Sequence, residues 1–110
     1  MLSKELVAAS AESLVLSLLS KGESYGYAII QEVKERSENE MQWTDGMLYP
    51  VLHRMEKHGW IESRWETMEN GRKRKYYSIK KDGKAALKEQ RAQWMKVHDV
   101  LLQLWGAKYA

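Results

Sequence analysis

The chain has no cysteine. That absence excludes disulfides, thiol catalysis and thiolate metal sites, and it fits a reducing compartment. No stretch approaches the roughly 18 consecutive apolar residues that a membrane-spanning helix needs. Met1–Ser10 lacks the basic region and long apolar core of a secretory leader, so the expected location is the cytoplasm, with no membrane partner. Catalytic signatures are missing as well. There is no glycine-rich phosphate loop and no nucleophile elbow, and the three histidines, His53, His58 and His98, do not fall into the His-Glu-x-x-His spacing of a zinc hydrolase. The expectation is a protein that is not an enzyme and carries no cofactor. Proline occurs once, as Pro50, and neither a repeat, a low-complexity run nor a linker interrupts the chain.

What is present fits a small globular protein. Of 110 residues, 44% are hydrophobic and 30% charged, too apolar a mixture for a disordered chain. The length suits one domain, or one domain with a dimerisation arm, and a chain this short buries only part of its apolar surface alone. The net charge of +3 is weak evidence for a nucleic-acid partner, but its distribution says more. From Arg72 to Lys88 there are eight basic residues and a single acid, Asp82, so the positive charge is concentrated.

Periodicity gives the order of elements. Residues 5–20 read as a first helix, closed by a glycine cap near Lys21-Gly22. Ser24 is the expected cap of a second helix, from Tyr25 to about Arg36, with Ile29, Ile30 and Val33 at helical spacing. Thr44 or Asp45 opens a third, ending at Gly59, with Leu48, Val51, Leu52 and Met55 on one side and Pro50 near its first turn. From Trp60 to Met68 the pattern alternates. Asn70-Gly71 is a strong short hairpin signal, and Arg72–Ile79 reads as the returning strand. A final helix runs from Asp82 to about Trp105. Its Leu87, Trp94 and Leu101 recur every seven residues, which predicts a partner helix.

This order predicts an α+β, mainly helical fold: a winged helix-turn-helix over residues 1–80, followed by a dimerisation helix over 81–110. A helix fits the major groove of B-DNA, and a two-stranded ribbon beside it reaches an adjacent groove or the backbone. Thr44, Gly46, Met47 and Tyr49, at the start of the third helix, are the expected DNA-facing residues, and a helix N-terminus with the Thr44 hydroxyl suits phosphate. One turn on, His53 and Arg54 reach phosphates or base edges. The tip residues Asn70, Gly71, Arg72, Lys73, Arg74 and Lys75 supply electrostatic affinity. Tyr25 is a further DNA-facing candidate, although Tyr25, Tyr27, Tyr76 and Tyr77 fit the core or its edge better. Asp45 repels phosphate and suits the helix N-terminus instead.

Ser24-Tyr25-Gly26-Tyr27, Gly46-Met47-Leu48-Tyr49-Pro50-Val51-Leu52-His53-Arg54-Met55-Glu56, Gly59-Trp60-Ile61, Gly71-Arg72-Lys73-Arg74-Lys75-Tyr76-Tyr77 and Gly83-Lys84 stand in an order and spacing that resemble the PadR family of bacterial transcriptional regulators. The resemblance spans residues of about 12 to 100. It implies a winged-helix domain, a homodimer built from the last helix and helix 1, and repression at palindromic double-stranded DNA sites relieved by a small molecule. The single short terminal helix is similar to a compact branch that includes multidrug-sensing regulators. There a tryptophan of the last helix stacks on planar aromatic ligands, and Trp94 matches that position by its local context. The resemblance places Leu6, Ala9, Ser13 and Ser17 opposite it, with His98 one turn further on. Three positions depart from the pattern. Asp45 stands where the family frequently has proline, Lys80 occupies a usual Thr/Ser cap, and His98 replaces an acidic residue, which leaves the charge of the ligand open. Trp43, Trp60, Trp65 and Trp105 read as structural by default, with a place near the interface as the alternative for Trp65, early in the hairpin. The alternatives are a winged-helix protein-interaction adaptor and a metal sensor using His98 and Asp99 from two subunits.

Overall fold

A computed structural model describes residues 1–106. Residues 107–110 of the expected terminal segment lie outside the described residues. The elements are α1 (Lys4–Leu19), β1 (Ser24–Tyr25), α2 (Gly26–Arg36), α3 (Asp45–Lys57), β2 (Ile61–Thr67), β3 (Lys73–Ile79) and α4 (Lys81–Trp105). The winged helix-turn-helix order is as the sequence predicts. No helix among the described residues is long and apolar enough to cross a membrane.

Ser3 caps α1, its hydroxyl accepting from the Leu6 N–H at 3.2 Å. The other end differs from expectation. α1 closes at Ser20, which keeps a right-handed helical conformation, and Lys21 N–H bonds the Leu18 carbonyl at 3.1 Å. The last turn tightens, and no glycine cap is used. Ser24 does not cap α2 either. It pairs with Tyr77, and Tyr25 with Tyr76, so both lie in a short strand on the far side of β3 from β2. Tyr25 is the N-cap of α2, and its side chain makes no capping bond. Pairing with a strand some fifty residues away outweighed a local capping preference, and a two-residue strand carries no periodicity to read.

Thr44 caps α3 as expected, accepting from the Met47 N–H at 3.3 Å. Pro50 is the sixth helical residue. It deprives only the Gly46 carbonyl of its helical donor, and α3 continues through it. In the hairpin, β2 and β3 pair from Ile61↔Ile79 to Thr67↔Lys73. The turn is wider than a two-residue Asn-Gly loop. Met68 N–H bonds the Arg72 carbonyl at 2.7 Å and Gly71 N–H bonds the Met68 carbonyl at 2.9 Å. Only Gly71, at φ +82, is left-handed here. That is a three-residue loop with a glycine bulge, and Asn70 Oδ1 steadies it by accepting from the Arg72 N–H at 3.0 Å.

The core joins α1 (Ala11, Val15, Leu16, Leu19), α2 (Ile29, Val33), α3 (Leu48, Val51, Leu52, Met55), Trp43, Ile61 and Tyr77. α4 contributes little to it, and Gly83 is its one buried residue. Gly83 lies against the Trp60 carbonyl, where an added Cβ would overlap that oxygen and meet the Ile79 Cγ1 at 2.8 Å. Backbone cannot yield as a flexible side chain does. Gly83→Ala is therefore expected to destabilise the fold by about 3 kcal/mol, read as a lowered denaturant midpoint. A midpoint equal to that of wild type would show that α4 has freedom to shift. Beyond its first turns α4 runs out along α1, and the molecule extends 56 Å in its longest dimension.

Candidate nucleic-acid interface

Helical geometry sorts the residues of α3. Leu48, Val51, Leu52 and Met55 face the core, so Gly46, Pro50, His53 and Lys57 point outward, with Tyr49 on one flank and Met47 and Arg54 on the other. On the Tyr49 flank the hairpin stands beside α3. The two are joined where Glu56 accepts from the Ser63 hydroxyl at 2.9 Å and faces Lys75 Nζ at 3.8 Å.

Between them is a groove of about 620 Å³. From α2 and β1 it takes Tyr25, Gly26 and Tyr27; from α3, Tyr49 and His53; and from the hairpin, Trp65, Met68, Asn70, Arg72, Lys73, Arg74, Lys75 and Tyr77. Of the sequence-derived candidates it gathers Tyr25, Tyr49, His53, Asn70, Arg72, Lys73, Arg74 and Lys75. Thr44 and Gly46 lie exposed at the tip of α3 and Gly71 at the tip of the hairpin, with Met47 half-buried, all outside the groove. Arg54 is turned toward α1, its Nε donating to Glu12 Oε2 at 3.1 Å.

The four basic residues of the wing are not equivalent. Arg72 and Lys73 are exposed at its tip. Arg74 lies over the Tyr25 ring at 4.0 Å, while Tyr25 meets Tyr76 edge-on at 5.5 Å and Arg64 covers Tyr76 at 4.9 Å. This stack occupies the outer face of the sheet. Arg64 also grips Glu23 with two bonds, at 3.2 and 2.6 Å, and the guanidinium holds the Glu23 carboxyl below its usual range. Lys75, on the inner face, lies between the rings of Trp65 (5.7 Å) and Tyr77 (5.5 Å). Strand alternation separates the two kinds of position.

Five groove residues, Gly26, Tyr27, Trp65, Met68 and Tyr77, were not among the sequence-derived candidates. Tyr27, in the first turn of α2, is 67% exposed, and Trp65 is 63% exposed. Trp65 had read as structural. Its register opposite Lys75, on the same strand face, was the available signal.

Tyr77 forms the floor of the groove. It is 1% exposed, and its hydroxyl has no hydrogen-bond partner. Burial, reinforced by the Glu56 carboxylate and Tyr49, pushes this phenol up to about 12. The unfolded chain releases the proton first, near pH 10. Ionisation of Tyr77 therefore leaves stability unaffected below about pH 10, and stability falls as pH rises from there toward 12. Tyr77→Phe is expected to raise stability at neutral pH by about 1 kcal/mol, because a buried unpaired hydroxyl is removed. It should also remove this part of the alkaline loss. Denaturant titrations of both proteins from pH 7 to about 11.5 test this, and parallel pH profiles would show that the hydroxyl is solvated.

A helix with a polar tip, flanked by a basic ribbon and an aromatic-lined groove, has the geometry of a nucleic-acid-binding head. The sequence comparison decides which one. Residues 15–89 match the PadR-like family of transcriptional regulators. The chain belongs to the PadR family. An uncharacterized protein X from Lysinibacillus sphaericus is 35% identical over 92% of this chain and 93% of its own length. Among solved structures, a transcriptional regulator from Clostridium thermocellum superposes with a TM-score of 0.83 at 28% identity, covering 92% of this chain and 95% of that one. A PadR family transcription regulator from Clostridium difficile gives 0.77 at 32% identity, covering 88% and 99%. PadR proteins are DNA-binding transcriptional regulators and not enzymes. Among the described residues of this PadR protein, no three His, Asp or Glu side chains gather as a metal site.

The family match ends before Trp94. There a second cavity, of about 370 Å³, opens between α1 and α4, lined by Ala9, Glu12, Ser13, Gln90, Gln93, Trp94 and Val97. Ser13 orients the indole. Its hydroxyl accepts from Trp94 Nε1 at 3.2 Å and donates to Gln90 Oε1 at 2.6 Å. On the other side of Trp94 a third cavity, of about 570 Å³, includes Ser17, Leu87, Lys21, Lys84, Lys88 and Arg91. Ala9, Ser13, Ser17 and Trp94 thus come together. Leu6 and His98 are exposed and line neither cavity.

Proposed function

We propose that this PadR protein is a homodimeric repressor that binds a palindromic operator and is released from it by a planar aromatic molecule held between α1 and α4. The observation that carries the DNA half is the groove joining α3 to the basic wing. α3 lies in the major groove, with Thr44 and Gly46 at its tip near phosphate and Tyr49 and His53 toward base edges and backbone. The exposed wing tip, Asn70 to Lys73, follows the neighbouring backbone. A dimer seated on a promoter excludes polymerase by occupancy, which makes repression the expected outcome.

The dimer reading rests on α4. Trp94 (39% exposed), Val97 (52%) and Leu101 (36%) follow one another at intervals of three and four, and Leu104 (78%) and Trp105 (55%) lie three and four after Leu101, so all five share one face. Such a stripe is a helix–helix interface that a single chain leaves open. Residues 1–80 then form the reading head and 81–110 the dimerising arm. Two heads in a symmetric dimer meet successive major grooves about 34 Å apart. The ligand reading rests on the two cavities beside Trp94, an aromatic face of fixed orientation.

Selection from a random DNA pool tests the operator. The expected product is an inverted repeat with half-site centres about one helical turn apart, which lowers reporter expression when placed over a promoter in cells making the protein. Enrichment of unpaired half-sites, or a reporter that rises, would overturn the dimeric repressor.

A further inference from the structure

Glu12 faces two ways. Its carboxylate is the one acidic group in the wall of the Trp94 cavity, and the same carboxylate accepts from Arg54 of α3 at 3.1 Å. The side chain is only 27% exposed. One acid therefore connects a cavity at the α1–α4 seam to the helix placed to read DNA.

The opposite side of Trp94 has the reverse charge. Lys21, Lys84, Lys88 and Arg91 border it, and among the described residues none of the four is ion-paired. A cation is repelled there. On the Glu12 side it gains the carboxylate and the π-face of the indole together. We infer that a planar aromatic cation binding beside Trp94 engages Glu12 and thereby weakens its hold on Arg54, so that cavity occupancy is transmitted to α3 through one shared carboxylate. This rests on the ligand reading above and adds the ligand's charge and the route.

The coupling is reciprocal. If the ligand loosens Arg54, then Arg54, as a competing cation, holds the ligand's affinity down by the same factor. Removing Arg54 must tighten cation binding, whereas removing the Glu12 charge must weaken it. An anionic aromatic ligand, directed to the basic side, should respond to neither change. A purely structural role for the Glu12–Arg54 pair predicts no such opposite signs.

Tryptophan fluorescence of the full chain without DNA is titrated with a phenanthridinium cation and, separately, with a naphthoate anion, and Trp94→Phe identifies the quenched residue. Glu12→Gln is expected to weaken the cation about five- to tenfold, and Arg54→Gln to tighten it about two- to threefold. The double variant should equal Glu12→Gln, since Arg54 acts only through that carboxylate. Naphthoate affinity should stay within about twofold throughout. Glu12→Gln is isosteric, Arg54→Gln shortens a side chain that is 52% exposed, and circular dichroism verifies the fold. Cation affinity unmoved by Glu12→Gln, or not raised by Arg54→Gln, overturns this inference while Trp94-dependent quenching preserves the ligand reading. If neither probe quenches Trp94 in the wild-type protein, both fall.

Discussion

Replacing Arg72 and Lys73 with alanine is expected to weaken operator binding about 100- to 1,000-fold at physiological salt and to flatten its salt dependence. The two side chains sit exposed at the wing tip, beyond the last cross-strand pair or at it, and neither is ion-paired among the described residues. Each phosphate contact that they make releases a condensed counterion and contributes about 0.9 to the slope of log K against log salt. A dimer presents each residue twice, so the slope should fall by about 3.6. Anisotropy titrations between about 50 and 200 mM salt read both quantities. The fold is not at stake, since surface substitutions of this kind fall within about 0.5 kcal/mol. Arg74 and Lys75 form the contrasting pair. Arg74 is stacked on Tyr25 and Lys75 lies between Trp65 and Tyr77, so their replacement should also loosen the hairpin. An unchanged slope in the Arg72/Lys73 variant would remove the wing from the interface.

The second large effect concerns assembly. Leu101→Asp with Leu104→Asp is expected to give a monomer at micromolar concentration and to weaken operator binding about 100-fold or more. In the isolated chain these residues are 36% and 78% exposed, and the core lies elsewhere, so the monomer should keep its helical signal. In a dimer the same positions would bring four carboxylates to a seam that must be desolvated, which costs several kcal/mol per buried charge. Once the arms separate, the second half-site is no longer presented at the millimolar effective concentration that a rigid link provides, and each head binds alone. Sedimentation gives the mass and anisotropy the affinity. A variant that stays dimeric with wild-type affinity would move the interface away from this face of α4.

Much of the reading head is legible in the sequence because its signals are local. Thr44 caps α3 where a threonine precedes an amphipathic run, and Leu48, Val51, Leu52 and Met55 have the spacing of a helix with one buried side. The hairpin is announced by alternation and by Asn70-Gly71, although the loop has three residues and only the glycine takes the left-handed conformation. The errors have a common source. Ser24 has the chemistry of a cap, but its neighbourhood is decided by Tyr77 and Tyr76, which the chain reaches only after two helices and a strand. Gly22 has the chemistry of a helix stop, but α1 had already closed through its own carbonyls.

The site residues divide in the same way. Tyr49, His53 and the wing tip could be named from position along one helix or one turn. Trp65 and Tyr27 could not, because the groove that exposes them exists only where β2, α2 and α3 meet. Arg54 shows the limit most directly, since its place in α3 suits DNA equally well until Glu12, forty-two residues earlier, holds it at 3.1 Å.

By itself, then, the sequence determined the order of elements, the concentration of positive charge on the returning strand and the apolar stripe of α4, because each is a property of neighbours along the chain. The tertiary structure alone decided which cations are free and which are stacked, that Tyr77 is sealed beneath the groove, that Trp94 is oriented by Ser13, and that Glu12 belongs both to a cavity wall and to α3. Those are facts of distance and burial between segments far apart in sequence, and they arise only when the core brings the segments together.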